Sequence, residues 1–185
     1  MTGIGGQGIQ LIAKVLAQAG MREGRQVMMF GIFMGTIRGG ASESTVVIAD
    51  EEIVTPPIVP HAWAVLAMHP EGLAKLAGKG EAGGVLLVNS SLASALPAWE
   101  RVHRIAVPAT ELAKQAGQAM GASMVALGAL AGATGLVGIS SLAEAVGEVL
   151  PPHRRKLADA NQHCLALGAE YVASQGGAAS PQAWA

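Results

Sequence analysis

The sequence predicts an α/β fold, in which a mostly parallel β-sheet is layered with helices and the C-terminal part of the chain is helical. Over roughly the first hundred residues, short apolar runs alternate with runs at helical spacing. Apolar runs that do not alternate with polar residues are typical of strands buried on both faces. From Ala109 onward the pattern is mostly helical. We found no linker and no fixed repeat, so residues 1–175 are predicted to form one domain and residues 176–185 a disordered tail.

The first helix is predicted in "GIQLIAKVLAQAGMREG", where Ile9, Ile12 and Leu16 recur at helical spacing. Gly20 or Gly24 is expected to end it. The predicted strands are "RQVMMFGIF", "STVVIADE", "HAWAVLAM", "GGVLLVNSS" and "HRIAVPA", with a loop at "GTIRGGASE" and a further helix near Pro70 to Ala77.

The last helix is predicted in "PPHRRKLADANQHCLALGAEYVAS". Helical spacing places Leu157, Cys164, Leu167 and Tyr171 on one face of it, with Asn161 on the same stripe. Cys164 is therefore predicted to be a small core residue, and Asn161 a hydrogen-bonded residue of the core or of an interface.

The uncharged stretch from Gln115 to Ala143 is long enough to span a bilayer at about 20 residues. Its apolar residues are mostly Ala and Gly, and Gly132, Gly135 and Gly138 would interrupt a helix. We therefore predict a buried helix or helix pair and no membrane span. The start has no charged segment followed by an apolar one, which favours a cytoplasmic protein.

Glycines in the same region predict close helix contacts. Gly117 and Gly121, and again Gly128 and Gly132, leave smooth faces that another backbone can approach. Two interpretations remain open, packing within the chain and a subunit interface.

The composition excludes several classes of function. A formal net charge of -1 with scattered Lys and Arg offers no basic surface for nucleic acid. The single cysteine, Cys164, excludes an internal disulfide framework and an iron–sulfur cluster held by this chain alone. The five histidines show no metal-ligand spacing, so no metal ligand is predicted. No catalytic residue is predicted either, because spacing alone supports no nucleophile triad or carboxylate pair.

A glycine-rich loop opens the chain. Gly3, Gly5 and Gly8 match the G-x-G-x-x-G pattern of dinucleotide sites, and the required helix follows. Only Met1 and Thr2 come before the loop, so either the natural chain begins upstream or the first strand is a two-residue stub.

A second requirement of dinucleotide binding is missing. NAD sites need an acidic residue about 20 positions after the loop to hold the ribose hydroxyls. No Asp or Glu occurs between Glu23 and Glu43, so ordinary NAD binding is disfavoured.

The combination of motifs resembles a known family. The segments "GIGGQGIQLIAKVLAQAG", "IRGGASESTVVIADEEI" and "VPATELAKQAG", followed by "MVALGALAGATGLV", resemble the gamma subunit, or gamma domain, of 2-oxoacid:ferredoxin oxidoreductases. The resemblance runs in order from Gly3 to Tyr171. It implies a Rossmann-like sheet that packs against alpha and beta subunits, with a ferredoxin-like delta subunit as a further candidate partner.

In that family the complex uses thiamine diphosphate, coenzyme A, iron–sulfur clusters and Mg to convert a 2-oxoacid into acyl-CoA, and passes electrons to ferredoxin. The resemblance implies that thiamine diphosphate and the clusters are held mainly by other subunits, and that this chain is inactive alone. Where many relatives carry Asn this chain has Ser123, and where an Asp often precedes the third strand it has Trp63. The 2-oxoacid is therefore not identified.

Two segments are candidate binding sites. The first is formed by Gly5, Gly6, Gln7 and Gly8. These residues are predicted to form either an anion site, such as one for a phosphate of coenzyme A, or a tight turn at a subunit contact. The tight turn is favoured, because the signature of NAD binding is incomplete.

The second is formed by Arg38, Gly39, Gly40 and Ser42. The guanidinium of Arg38, on a turn, is predicted to bind a phosphate or carboxylate of a ligand or to lie at an interface.

Two alternatives to the gamma-subunit hypothesis remain: a free-standing nucleotide-binding module, and an assembly subunit without ligand contact.

Overall fold

The computed structural model describes residues 1–33, 40–54, 56–93 and 98–176. Within these ranges the chain forms six strands, six α-helices and one 3₁₀ turn. The strands are β1 (Thr2–Ile4), β2 (Gln26–Phe33), β3 (Ala41–Ala49), β4 (Ala62–Ala67), β5 (Gly80–Asn89) and β6 (His103–Val107). The helices are α1 (Ile9–Arg22), α2 (Pro70–Lys75), α3 (Ala109–Gln115), α4 (Ala122–Thr134), α5 (Ile139–Val149) and α6 (Ala158–Ser174), with the 3₁₀ turn at Pro152–Leu157. The predicted disordered tail lies, apart from Gly176, outside the described residues.

The six strands form one sheet in the order β2-β3-β1-β4-β5-β6. β1, β4, β5 and β6 are parallel to one another, whereas β3 is antiparallel to both β1 and β2. The prediction of a mostly parallel sheet is confirmed. β3 is reversed because only seven residues separate it from β2, and a parallel connection needs a crossover of about a dozen or more.

β1 is the shortest strand and lies in the middle of the sheet. It is three residues long and pairs with β3 on one side and β4 on the other. The expectation of a very short first strand is therefore close to the observed geometry. Gly3, the first glycine of the motif, lies inside this strand opposite Ser42 and does not form the turn.

Helices cover the two faces of the sheet unequally. One face carries a large core formed by α1, α3, α4, α5 and α6 against the sheet. The other carries a smaller core, in which Leu73 of α2 and the half-buried Trp99 and Val102 pack on β4 and β5. Among the described residues of β2, Met28, Phe30 and Ile32 are exposed.

The glycines of α4 pack against α6. A Cβ built on Gly128 would overlap the carbonyl oxygen of Leu165, and one on Gly132 would lie 2.9 Å from the Cα of Ala169. A Cβ on Gly121 would overlap the Sγ of Cys164. Of the two interpretations of these glycines, packing within the chain is confirmed for Gly121, Gly128 and Gly132. It is wrong for Gly117, which has φ 72° and open space at its Cβ position because it lies in the turn before α4.

The uncharged stretch forms two helices, as predicted. α4 ends at Gly135, which has φ 65°, and α5 begins after Gly138. Gly132 does not interrupt α4 but lies inside it. Within the described ranges, no helix is both long enough and apolar enough to cross a membrane.

The predicted apolar face of α6 is partly wrong. Leu157 precedes the helix and is 43% exposed, and Leu167 and Tyr171 are only half-buried. The residues that α6 buries are Cys164, Leu165, Gly168 and Val172. The helix is rotated because Gly168 sits against the carbonyl oxygen of Val125, where a larger residue would not fit. The prediction that Cys164 is a core residue is confirmed, since it is fully buried.

Candidate functional site

The candidate site lies at the carboxyl ends of β1 and β4. The chain leaves β1 through α1 to form β2 and β3 on one side, and then returns to form β4 on the other. In open α/β sheets, ligands bind in the crevice at such a switch point. The loop Gly5–Gly8 follows β1 at this end of the sheet, and Met68 and His69 follow the neighbouring strand β4.

A backbone hydrogen bond joins the two predicted glycine segments. The N–H of Gly5 donates to the carbonyl oxygen of Gly40, with an N···O distance of 2.8 Å. Gly6 has φ 94° and Gly8 has φ 76°, conformations that favour glycine. The loop is thus a tight turn whose shape depends on its glycines.

The side chain of Gln7 bridges the crevice. Its Oε1 accepts from the N–H of Ile4 at 2.9 Å, and its Nε2 donates to the carbonyl oxygen of Met68 at 3.4 Å. One amide therefore ties the end of β1 to the end of β4, and Gln7 occupies part of the space that a ligand would take.

The helix α1 begins without a side-chain cap. Gly8 is its N-cap, no side chain accepts from its first turn, and that turn contains no acidic residue. The first N–H groups of a helix lack intrahelical partners and carry partial positive charge, which suits an anion. The first turn of α4 lies beside it, because a Cβ on Gly8 would be 2.8 Å from the Oγ of Ser123.

Gln10 is a residue that the sequence did not single out. Its Nε2 donates to the carbonyl oxygen of Glu43 at 2.8 Å and lies 3.5 Å from the Oγ of Ser42. A Cβ on Gly31 would overlap its Oε1. Gln10 thus fixes α1 against β2 and β3. The sequence feature that could have identified Gln10 as a site residue is its position in the first helical turn after a glycine loop.

Six of the eight predicted site residues are described, and they lie together. Gly5, Gly6, Gln7 and Gly8 form the loop, Gly40 is bonded to it, and Ser42 lies opposite Gly3. Ser42 was expected on the loop "GTIRGGASE" but belongs to β3, which begins at Ala41 because the strand pairs with β1 there.

Two predicted site residues, Arg38 and Gly39, lie outside the described residues. Ser42 itself is buried, with 7% of its surface exposed.

A second polar group lies at the end of β5. Asn89 is buried, and its Nδ2 donates to the Oγ1 of Thr110 at 2.9 Å. The Oγ of Ser91 accepts from the N–H groups of Thr110 and Glu111, which caps α3 from outside the helix. This group holds the start of α3 against the sheet edge.

The described residues offer little to hold a metal or to act as an acid or base. No group of three or more metal-ligating side chains occurs among them. Burial raises the pKa of the Cys164 thiol, so this thiol is not activated as a nucleophile. Among the described residues, the site offers backbone N–H groups, the amides of Gln7 and Gln10, and the imidazole of His69, whose Nδ1 accepts from the N–H of Glu71 at 3.4 Å.

An exposed apolar surface lies on the edge strand β2. Met28, Phe30 and Ile32 alternate along this strand on one face, with Phe30 42% and Ile32 53% exposed. Three large apolar residues in a row on an edge strand are typical of a surface covered by another protein. We call these three residues the β2 face.

The fold and the site define a Rossmann-like α/β domain with a glycine-rich loop at its switch point. Residues 1–171 match the sequence family described as pyruvate ferredoxin/flavodoxin oxidoreductase. The chain belongs to this family, and the resemblance noted in the sequence is confirmed.

Curated relatives carry the names of oxidoreductase subunits. The chain is 33% identical over 174 residues to the ketoisovalerate oxidoreductase subunit VorA of Methanothermobacter thermautotrophicus, covering 93% of this chain and 35% of that protein. It therefore spans about a third of the length of this relative. It is also 33% identical over 159 residues to the 2-oxoglutarate synthase subunit KorC of Methanothermobacter marburgensis, covering 82% of this chain and 85% of KorC.

A solved structure has the same fold over nearly its whole length. The gamma subunit of a keto/oxoacid ferredoxin oxidoreductase from Geobacter sulfurreducens superposes with a TM-score of 0.75 at 28% identity. The match covers 94% of this chain and 96% of that subunit.

Proposed function

We propose that this chain is the gamma subunit of a multi-subunit 2-oxoacid:ferredoxin oxidoreductase, forming a single gamma-type domain over residues 1–175. The observation that supports this most is the near end-to-end match with a solved gamma subunit. KorC corresponds over most of its length as well. The complex would oxidatively decarboxylate a 2-oxoacid to acyl-CoA and reduce ferredoxin. A cytoplasmic location is part of the proposal, and the free thiol of Cys164 is compatible with a reducing compartment.

The residues present do not fit every cofactor of such a complex. A cluster needs about four thiolates, and the chain has one cysteine, which is buried. The Mg that accompanies thiamine diphosphate needs several oxygen ligands, and no suitable group of acidic residues occurs in the described part. We therefore assign both to the alpha, beta and delta partners.

Coenzyme A fits the chain better. In the loop Gly5–Gly8, the N–H groups of Gly5 and Gln7 donate to the carbonyl oxygens of Gly40 and Ile4. The N–H groups of Gly6, Gly8 and the uncapped first turn of α1 would therefore be the ones to bind a phosphate, which suits a helix N-terminus. When bound, coenzyme A supplies the thiol that accepts the acyl group. This chain would hold a phosphate at the loop, and the guanidinium of Arg38 is a further candidate for it.

The β2 face supports the role in assembly. Covering Met28, Phe30 and Ile32 with a partner subunit would remove their apolar surface from water, which favours association by about 25 cal/mol per Å² buried. We propose that an alpha or beta subunit packs on this face.

Purification of the assembled complex from its natural source tests the proposal. We expect thiamine-binding and cluster-binding subunits to co-purify, with dye reduction that depends on a 2-oxoacid and on coenzyme A. A lone chain carrying a nucleotide would refute the proposal in favour of a free-standing nucleotide-binding module.

A pair of variants tests the anion site. Gly6 and Gly24 both have positive φ and open space where a Cβ would lie, but Gly24 follows the opposite end of α1. Gly6→Ala is expected to raise the KM for coenzyme A about tenfold, as for one lost hydrogen bond to a charged group, while Gly24→Ala leaves it unchanged. Equal effects in both variants would instead support an assembly subunit without ligand contact.

A further inference from the structure

A cavity of about 300 Å³ opens between β3 and β4, next to the start of β1. Protein interiors have few voids larger than a water molecule, which occupies about 30 Å³. The cavity is therefore too large to be a packing defect. Its strand walls are residues 43–48 of β3 and 62–66 of β4, and Met1 lies at its end.

The cavity passes through the sheet. On one side it is lined by Leu16, Leu130 and Leu136, which belong to the large core under α1 and α4. It is also lined by Leu76, which packs in the smaller core on the opposite face, and by the nearby Lys79. A surface groove would contact one face only, whereas a gap that contacts both faces has the position of a strand.

The pairing of β1 leads directly into this gap. Thr2 is paired with Glu43 on β3 and with Ala67 on β4. Met1 and Ser44 exchange two backbone hydrogen bonds, of 2.8 Å from the nitrogen of Met1 and 2.9 Å to its carbonyl oxygen.

Continuing this register backwards places four further residues opposite 45–48 of β3 and 62–65 of β4. These ranges lie within the strand walls of the cavity. By the alternation of an antiparallel ladder, the backbone groups of Val46 and Ile48 are directed into the gap, as those of Ser44 are directed to Met1.

The terminal nitrogen of Met1 has the surroundings of a peptide nitrogen within a strand. It donates to the carbonyl oxygen of Ser44, and burial lowers the pKa of this amine to about 6, with Glu43 opposing the shift. A peptide N–H in the same place would make the same hydrogen bond without burying a charge.

We propose that the gap is the seat of a strand of about four residues that is covalently continuous with Met1 and belongs to the same polypeptide. This strand lengthens β1 to about seven residues and supplies the full strand that a glycine-rich loop at a switch point follows. A strand of a partner subunit fits less well, because its end would meet the terminal nitrogen of Met1 in the middle of the sheet.

The alternation of the strand specifies the residues of this segment. Met1 packs against the large core, and Thr2 is directed to the other face, where a Cβ on Gly72 would overlap it. The second and fourth residues before Met1 therefore face Leu16 and Leu130 and are apolar. The first and third face the side of Leu76 and Lys79.

The N-terminus of the chain in the complex from its natural source tests the proposal, measured by intact mass and terminal peptide sequencing. We expect at least four residues before Met1, with apolar residues at the second and fourth positions. A mature terminus at Met1 or Thr2, or an in-frame stop codon within four codons upstream, overturns the proposal.

A recombinant comparison gives a second readout. The chain extended by its upstream codons is expected to have a Tm higher by about 5 °C or more than the chain that starts at Met1. It should also show slow hydrogen exchange at the N–H groups of Val46 and Ile48. An Asp substitution at the second residue before Met1, which faces the large core, should abolish this rise in Tm. An Asp substitution at the first residue before Met1, which faces the side of Lys79, should preserve most of the rise. Protection that arises only when a partner subunit binds overturns the proposal in favour of a partner strand.

Discussion

Gly5 and Gly40 are joined by a backbone hydrogen bond of 2.8 Å across 35 positions of the sequence. This bond brings the opening glycine loop to the start of β3. The two glycine-rich segments, which the sequence presents as separate candidates, thus form one surface at the end of β1. The loop is also fixed by its own bonds, since the N–H of Gln7 donates to the carbonyl oxygen of Ile4.

The bridge made by Gln7 is predicted to stabilise the sheet at its switch point. In Gln7→Glu, a carboxylate oxygen can still accept from Ile4, but the donor to the carbonyl oxygen of Met68 is replaced by an acceptor. We expect a loss of about 1–3 kcal/mol in the free energy of unfolding, measured with urea. Gln18→Glu, whose side chain contacts Glu148 on the exposed surface, is the control and should cost less. Equal losses would show that Gln7 does not tie the strands.

The contact between α4 and α6 is predicted to tolerate no side chain at Gly128. The Cβ of Gly128→Ala would overlap the carbonyl oxygen of Leu165, so the helices must separate and lose contacts along their length. We expect a loss of about 2–4 kcal/mol in thermal or urea unfolding. Gly147→Ala is the matched control, since it lies in a helix with open space at its Cβ, and it should stabilise by about 0.5–1 kcal/mol. A neutral Gly128→Ala would mean that the helices are not in close contact.

The sequence predicted the order of strands and helices because local periodicity determines it. The apolar runs identified β2 and β4 to within one residue at each end and β6 to within two, and Gly24 and Gly135 ended helices as expected. Local patterns of this kind do not depend on the rest of the fold.

Features that depend on distant contacts were not predictable in the same way. The buried face of α6 is determined by Gly168, which packs against the backbone of Val125 in α4. Hydrophobic periodicity does not predict this face, because glycine is not counted as an apolar core residue. The location of Ser42 in β3 depends on pairing with Gly3, which is distant in the sequence. The role of Gln10 depends on the approach of Gly31, which a polar residue on a helix does not reveal.

The β2 face is predicted to be required for assembly but not for folding. Phe30→Lys places a charge on an exposed position of an edge strand, so the free energy of unfolding should change by less than about 1 kcal/mol. Binding to a partner subunit should weaken by about tenfold or more, because the charge would be buried there without a partner. Pull-down and sedimentation measure the binding. Met21→Lys, on an equally exposed position of α1, should leave it unchanged, and if both variants bind normally the partner lies elsewhere.

The stability of the chain that starts at Met1 is predicted to fall between pH 8 and pH 6. Burial lowers the pKa of the terminal amine from 8.0 to about 6 in the folded state, so in this range the unfolded chain binds a proton that the folded chain does not. The free energy of unfolding therefore rises with pH through this window, by at most about 3 kcal/mol for two units. Glu43, His61 and Lys79 line the same cavity and are present in both chains compared, so His61→Gln in both chains is the control for the imidazole. Urea unfolding from pH 5.5 to 8.5 should show this slope in the chain that starts at Met1, and the chain extended before Met1 should lack it, since its Met1 nitrogen is an amide. Identical slopes in the two chains would mean that the amine is solvated and that the gap does not enclose it.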